Sequence, residues 1–416
     1  MAFKRVVITG LGIISSIGNS YDEVKSNLKN GKSGVSKIEE WSELGIKSCI
    51  AGSIKDIENK TKSSELSRKI LNCMGDAAKF CTLAAQDAIK DSGLSDEELK
   101  NPEFACIIGS GVPSTDAIYQ CSDKLFNGKI KRISPYTIVK SMSSSCSASV
   151  TNTFGLKGRS YSLSSACATS AHNIGHAYEL IKSGLIDSAI TGGGEEVTSI
   201  TTSGFMAMRM ALSTRYIDNP HQASRPYDAN RDGFVISGGA GILILEEFEM
   251  AQKRGAKIYG EIIGYHANAD GLDMIMPDPD GIQTGECMKR AIAKAGISVN
   301  DIDYINTHGT STVIGDIAEL KAIKRAFGEN IPMISSTKSM TGHPIAAAGA
   351  LESIFCMGML EDQFIAPNIN LENIDPDCRE YPIITETLNK KLDIIMNNNF
   401  GFGGTNATII FRKFDH

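Results

Sequence analysis

No run of about 18 uninterrupted apolar residues, the length a membrane-spanning helix needs, occurs anywhere in the chain, so a membrane protein is not expected. Cys-x-x-Cys pairs are missing as well. Ten cysteines, at 49, 73, 81, 106, 121, 146, 167, 287, 356 and 378, are scattered without regular spacing. That argues against a disulfide framework and fits a reducing compartment. A basic excess is lacking: 42 Lys and Arg stand against 48 Asp and Glu, a formal charge of −6. Nonspecific nucleic-acid binding is therefore not expected, although a local basic patch is compatible with that balance. The opening "MAFKRVVITGLG" has neither the apolar core nor the cleavage site of a secretory signal, and the expected location is cytoplasmic. A linker rich in Pro, Gly or Ser, a low-complexity tail and a short tandem repeat are all absent. One compact body is expected rather than separate beads.

What is present is ordinary globular material, with 42% hydrophobic and 22% charged residues in 416. Short β-branched runs predict strands at 5–9, 104–109, 188–191, 241–246, 258–265, 304–307, 333–336, 394–397 and 408–412. Helices are predicted at 74–92, 168–183, 281–295, 316–327 and 346–361. The alternation implies an α/β layered architecture, and the near-continuous apolar strands suit a sheet covered on both faces. Polar segments at 29–69, 113–142, 218–231 and 367–382 read as loops. A soft boundary falls near "EEFEMAQKRGA", giving halves 1–252 and 253–416. Each half holds a glycine-punctuated strand-to-turn unit, which alone does not establish a duplication.

Several stretches invite chemistry. In "VVITGLGIISSIG", Gly10 and Gly12 sit where a dinucleotide-binding loop begins. Ser15 replaces the third glycine and no acidic residue follows at the required distance, so a tight, closely packed turn is the better reading. "YSLSSACATSAHNIGHAYELIKSG" places Cys167 where a strand over 161–165 would become a helix. Free backbone N–H groups and the helix dipole would favour thiolate there. An inert buried cysteine is the competing account. His172 and His176 could share a helix face with Cys167 or Cys146 as zinc ligands, but no second ligand pair supports this, and packing is preferred. "YINTHGTSTVIGD" puts His308 just after a strand; "ISSTKSMTGHPIAAAGALE" does the same for His343, with Lys338 five residues earlier. Two such histidines at strand ends look like parts of one site, and with a cysteine they suit thiol-based acyl transfer. His221, His266 and His416 have no comparable setting. In "NNNFGFGGTNATIIFRKF", Gly401, Gly403 and Gly404 read either as a bulged turn or as a place where N–H groups face a cavity.

Taken together, "SSACATSAH", "GGGEE", "RPYDANRDGFVISGGAG", "HGTST..GD" and "KSMTGHPIAAAG" occur in the order found in the β-ketoacyl-acyl-carrier-protein synthases. The chain resembles these condensing enzymes from end to end, most of all their bacterial type I members, with type II close. The resemblance implies a thiolase fold: two βαβαβαββ halves in a five-layer α-β-α-β-α sandwich, the first half (1–252) bearing the nucleophile and the second (253–416) the histidines. It implies a homodimer, and "GSGVPS" and "IVKSMSSSCSA" resemble its dimer and acyl-pocket region. Cys167 matches the acyl-carrying nucleophile. His308 and His343 match the pair that promotes malonyl decarboxylation, and Lys338 the lysine beside the second of them. Backbone N–H groups of Cys167 and Phe402 would form the oxyanion hole, with Phe402 also a gate. Thr310 and Thr312 match residues that hold the phosphopantetheine arm. Phe205, Met206, Phe234 and Phe400 would line the acyl pocket. The acyl carrier protein is the implied partner, with docking expected at Arg68, Lys69, Lys129, Lys131 and Arg132, although Asn72 stands where a further basic residue is common. No metal or other cofactor is implied. Val313 replaces a usual proline, which would leave that loop less rigid.

The alternatives fall to particular residues. A thiolase needs a second cysteine near the C-terminus, and "FGFGGTN" has none. Starter synthases pair Cys-His with Asn, whereas His343 stands here. A non-catalytic chain-length partner lacks the nucleophile. A cysteine hydrolase would release acyl groups to water, and a type II or polyketide ketosynthase would share the fold.

Overall fold

The ten strands of the main sheet fall into two runs with one topology. In chain order the first five are β1 (Val6–Ser15), β2 (Phe104–Gly109), β3 (Ser160–Tyr161), β4 (Ser188–Glu195) and β5 (Gly239–Glu247). The second five are β6 (Gly260–Ala269), β7 (Tyr304–Asn306), β8 (Met333–Ser335), β9 (Ile394–Gly401) and β10 (Thr405–Lys413). The computed structural model describes residues 3–209 and 211–415. Across the sheet the order is β8-β7-β9-β10-β6-β1-β5-β4-β2-β3. Within each run the first strand pairs antiparallel with the fifth and the fifth antiparallel with the fourth; the fourth pairs parallel with the second and the second parallel with the third. That identity establishes the duplication. The halves join at a seam of three pairs, Val6↔Ile262, Val7↔Glu261 and Ile8↔Gly260.

Helices complete five layers. The helix α1 (Asp76–Ser92) covers the outer face of the first half, and α4 (Ile282–Ala295) with α5 (Val313–Phe327) covers that of the second. Between them lie α3 (Thr169–Lys182) and α7 (Ala348–Asp362), packed on each other and on both sheet halves. Every residue of α7 from Ala348 to Leu360 is buried, as a helix enclosed on all sides requires. The fold class expected from the sequence is therefore the one observed. No helix among the described residues is long and apolar enough to cross a membrane.

The structure corrects three local expectations. Gly10 and Gly12 form no turn: β1 continues through them to Ser15, with a bulge between Ile8 and Gly10. Their role is close helix approach, because a Cβ on Gly12 would lie 1.8 Å from the Ala84 carbonyl oxygen of α1. Gly264 does the same for α4 in the second half, its Cβ position lying 2.6 Å from the Ala291 carbonyl oxygen. The strand expected over 161–165 ends at Tyr161. The 113–142 segment is not wholly loop, since α2 (Thr115–Phe126) begins at a Ser114 cap that accepts the Ala117 N–H. Its apolar side chains Ile118, Tyr119, Leu125 and Phe126 are exposed, so no core-facing stripe marks it. Replacing Gly12 by Ala should force α1 outward and cost about 1–3 kcal/mol as overpacking. An unchanged urea midpoint for that variant would contradict the close-approach account.

Candidate active site

The serines around Cys167 pin the chain as it leaves the sheet. Ser162 Oγ donates to the Ile108 carbonyl at 2.6 Å and Ser164 Oγ to the Ser110 carbonyl at 3.0 Å. The Ser165 N–H donates to Thr169 Oγ1 at 2.8 Å. A single 3₁₀ turn, Ala166–Ala168, then carries Cys167 into α3. Ala166 is held at φ 49°, in the left-handed region, which aims the next residue off the regular path. His172 and His176 serve this framework. His172 Nδ1 bonds the Ser165 hydroxyl, its Nε2 faces the Asn406 carbonyl at 3.3 Å, and His176 Nε2 bonds the Tyr161 hydroxyl at 2.9 Å.

The two distant histidines meet. Their rings are 5.2 Å apart between centroids at 89°. His308 follows β7, and Glu319 on α5 accepts its backbone N–H at 2.8 Å and that of Gly309 at 2.7 Å. His343 follows α6 (Lys338–Thr341) and Gly342, whose φ is 71°. Its own backbone bridges the 235–237 segment: its N–H donates to the Val235 carbonyl at 2.7 Å, and its carbonyl accepts the Ser237 N–H at 2.9 Å. The Nδ1 of each ring is buried without a hydrogen-bond partner in the protein. Orphaned polar atoms are costly, and ones retained at a cleft point to a ligand or water. Lys338 is fully buried and ion-paired with Glu352 on α7, whose other oxygen accepts from Asn399 Nδ2 at 2.7 Å.

A chain of rings runs along the site. Phe402 lies 6.1 Å from Phe205, Phe205 5.3 Å from Phe234, and Phe234 5.3 Å from His343. On the far side Phe400 lies 5.7 Å from His308. Cys167, Phe234 and Ile345 share one buried cluster, against which Phe205 and Met206 pack. Phe402, Gly403 and Gly404 turn β9 into β10, the two glycines at φ 79° and 68°. Gly401 is needed for proximity, since a Cβ there would stand 2.9 Å from the Cys167 nitrogen. Thr310 and Thr312 bond each other through their hydroxyls at 3.0 Å in the loop after His308. Val313 opens α5, a first helical position where a proline would also fit because that N–H needs no partner. Arg68 and Lys69, on the short helix Arg68–Leu71, and Lys129, Lys131 and Arg132 are solvent-exposed, outside the buried group.

The electrostatics differ from the sequence expectation at Cys167. Burial pushes its thiol up to about 12, while Lys338 and the backbone N–H groups of Phe402 and Cys167 pull the other way. The helix start does not outweigh an apolar wall, so the resting group is a thiol. The same two N–H groups converge on its sulfur. Burial, reinforced by Lys338, holds both histidines well below their usual range, and His343 further depresses His308. Both rings are therefore neutral near pH 7, able to donate or accept a hydrogen bond without carrying charge. Burial raises the Glu319 carboxyl to about 7 against the two N–H groups it accepts. Glu319, Glu352 and Asn399 are site residues that motif reading missed. The available signal was Glu352 itself, the sole charge in the first thirteen residues of α7.

The family model described as "Beta-ketoacyl synthase, N-terminal domain" matches residues 3–251, and "Beta-ketoacyl synthase, C-terminal domain" matches 259–372. The chain is 48% identical over 414 residues to a 3-oxoacyl-[acyl-carrier-protein] synthase 1 of Haemophilus influenzae, covering 99% of this chain and all of that one. A crystal structure of a β-ketoacyl synthase from Burkholderia phymatum superposes with a TM-score of 0.92 at 35% identity, covering 99% of this chain and 100% of that one. A type II polyketide ketosynthase solved with its acyl-carrier protein gives 0.89 at 33% identity, covering 99% and 100%.

Proposed function

From the premise that the chain belongs to the β-ketoacyl synthase family and is an acyltransferase, a condensing enzyme of fatty-acid elongation, we propose the following division of labour among its residues. Cys167 attacks the carbonyl of an acyl thioester on the carrier's phosphopantetheine arm. The thiol proton leaves with the departing pantetheine sulfur, and the negative charge that builds on the acyl oxygen falls to the N–H groups of Cys167 and Phe402. A malonyl thioester then replaces the spent carrier. Its carboxylate departs as CO2, the bonding electrons pass to the thioester enolate, and neutral His308 and His343 hydrogen-bond that oxygen. The nucleophilic carbon attacks the acyl-enzyme, and collapse expels the Cys167 thiolate, which takes up a proton from water to return to the resting thiol, and leaves a 3-oxoacyl product two carbons longer. Lys338 supplies fixed positive charge beside all three groups. Thr310 and Thr312 hold the arm, while Phe400, Phe205 and Phe234 line the acyl pocket.

The observation that carries this reading is the convergence of two backbone N–H groups on a buried thiol beside two neutral, part-unpartnered imidazoles. Incubation with acyl- and malonyl-carrier protein is expected to yield 3-oxoacyl-carrier and CO2. Free fatty acid without 3-oxoacyl product would indicate a hydrolase instead.

Assembly and docking belong to the same proposal. The protein acts as a homodimer through the open edge of β3 and the exposed apolar side chains of α2 with Ile130 and Ile138, a surface no monomer benefits from leaving wet. Arg68, Lys69, Lys129, Lys131 and Arg132 receive an acidic carrier by charge complementarity. The ten free cysteines accord with a cytoplasmic setting.

A further inference from the structure

The duplication gives the nucleophile turn a counterpart. In the first half the turn Ala166–Ala168 leads into α3; in the second, Ile345–Ala347 leads into α7. Ala166 at φ 49° precedes Cys167, and Ile345 at φ 43° precedes Ala346. Ala346 therefore occupies the place of the nucleophile, and its N–H the place of an oxyanion donor. The strands that face these turns correspond as well: β9 closes with Gly401, which lies against the Cys167 nitrogen, and β4 closes with Glu195. The Glu195 carboxylate accepts the Ala346 N–H at 3.4 Å. An internal carboxylate thus fills the copy of the oxyanion site that carries no chemistry.

That carboxylate also reaches the other half of the machinery. It accepts the Ser110 hydroxyl at 3.2 Å and the N–H groups of Gly111 at 3.0 Å and Val112 at 3.3 Å. Ser110 in turn accepts from Ser164, three residues before Cys167. Ala346 lies three residues after His343. We propose that Glu195 is a positioning residue that holds the Cys167 turn and the His343 loop in mutual register, one carboxylate bonded directly to Ala346 and linked through Ser110 to Ser164. The inference rests on the roles given to Cys167 and His343 above.

Burial raises the Glu195 carboxyl to about 7, and its charge in turn raises the Cys167 thiol, with Lys338 opposing it there; it also raises the Cys81 thiol. The test compares Glu195→Gln, which removes the charge and turns two acceptors into one, with Glu195→Asp, which keeps the charge but shortens the reach. All rates are normalised to Cys167 that can be acylated, so unfolded protein does not count. Both variants are expected to lose about tenfold to 100-fold in kcat, with the malonyl-carrier KM nearly constant, the scale of a small misalignment of reacting groups. Only Gln should shift the pH profile of iodoacetamide alkylation of Cys167, and toward lower pH, because a negative charge beside the sulfur has gone. Wild-type kcat in folded Gln and Asp variants, or an unmoved alkylation profile in Gln, overturns the role of Glu195. Failure of the wild-type enzyme to acylate at Cys167 overturns instead the reading on which it rests.

Discussion

A Cys167→Ala enzyme is expected to take up no label from a radiolabelled acyl-carrier and to lose condensation by about 10⁴-fold or more, the scale at which loss of a covalent nucleophile is felt. The structure says why no neighbour can substitute. Of the nine other cysteines, Cys106, Cys287 and Cys378 share with Cys167 the push of burial up to about 12, but not its pair of backbone N–H groups. The serines beside it, Ser162, Ser164 and Ser165, are committed to fixed hydrogen bonds. Removing one sulfur should barely disturb the fold, because Ala166 and Ala168 already show that alanine suits the turn. His308, His343 and Lys338 remain in place, so release of CO2 from malonyl-carrier should persist uncoupled from condensation. Acyl labelling at the wild-type level would refute the assignment. Loss of both labelling and CO2 release in a folded variant would mean that the two half-reactions share more than the cavity.

The parts of the site that could be read from the chain are those whose chemistry is local. Cys167 lies in a run of small residues, His308 and His343 each stand at a strand end, and the glycines after Phe400 announce a special turn. The parts that could not be read depend on partners remote in sequence. Glu352 meets Lys338 across fourteen positions and Glu319 meets His308 across eleven, and neither spacing is a motif. The glycines of β1 show the same limit, since glycine serves a turn and a close approach equally well. Only Ala84 and Ala88, on a helix some seventy residues later, decide between the two. Helix α2 escaped notice for another reason: its apolar side chains face outward in one chain, so amphipathic patterning had no core to point toward. The strands were legible because burial on both faces leaves them almost purely apolar. Their duplication was not, because the halves share topology rather than residues: Cys167 answers to Ala346, and Glu195 to Gly401.

His343→Ala is expected to separate the two half-reactions in the opposite sense. The loop that bears it is pinned through the backbone, to the carbonyl of Val235 and the N–H of Ser237, so truncating the ring leaves its path intact. What disappears is the edge contact with Phe234 and His308 and one neutral donor to the enolate oxygen. Removing one donor of this kind costs about 10²–10³-fold in rate. Condensation should fall by that amount, measured as 3-oxoacyl product from acyl- and malonyl-carrier. Acylation of Cys167 should survive at least in part, because its two N–H donors and Lys338 are untouched. His308 would gain no compensating charge, since burial and Lys338 still disfavour its protonated form. Full malonyl-dependent condensation in this variant would move the role of enolate partner to His308 alone. Loss of acylation together with condensation would instead make His343 part of the acyl-transfer step as well.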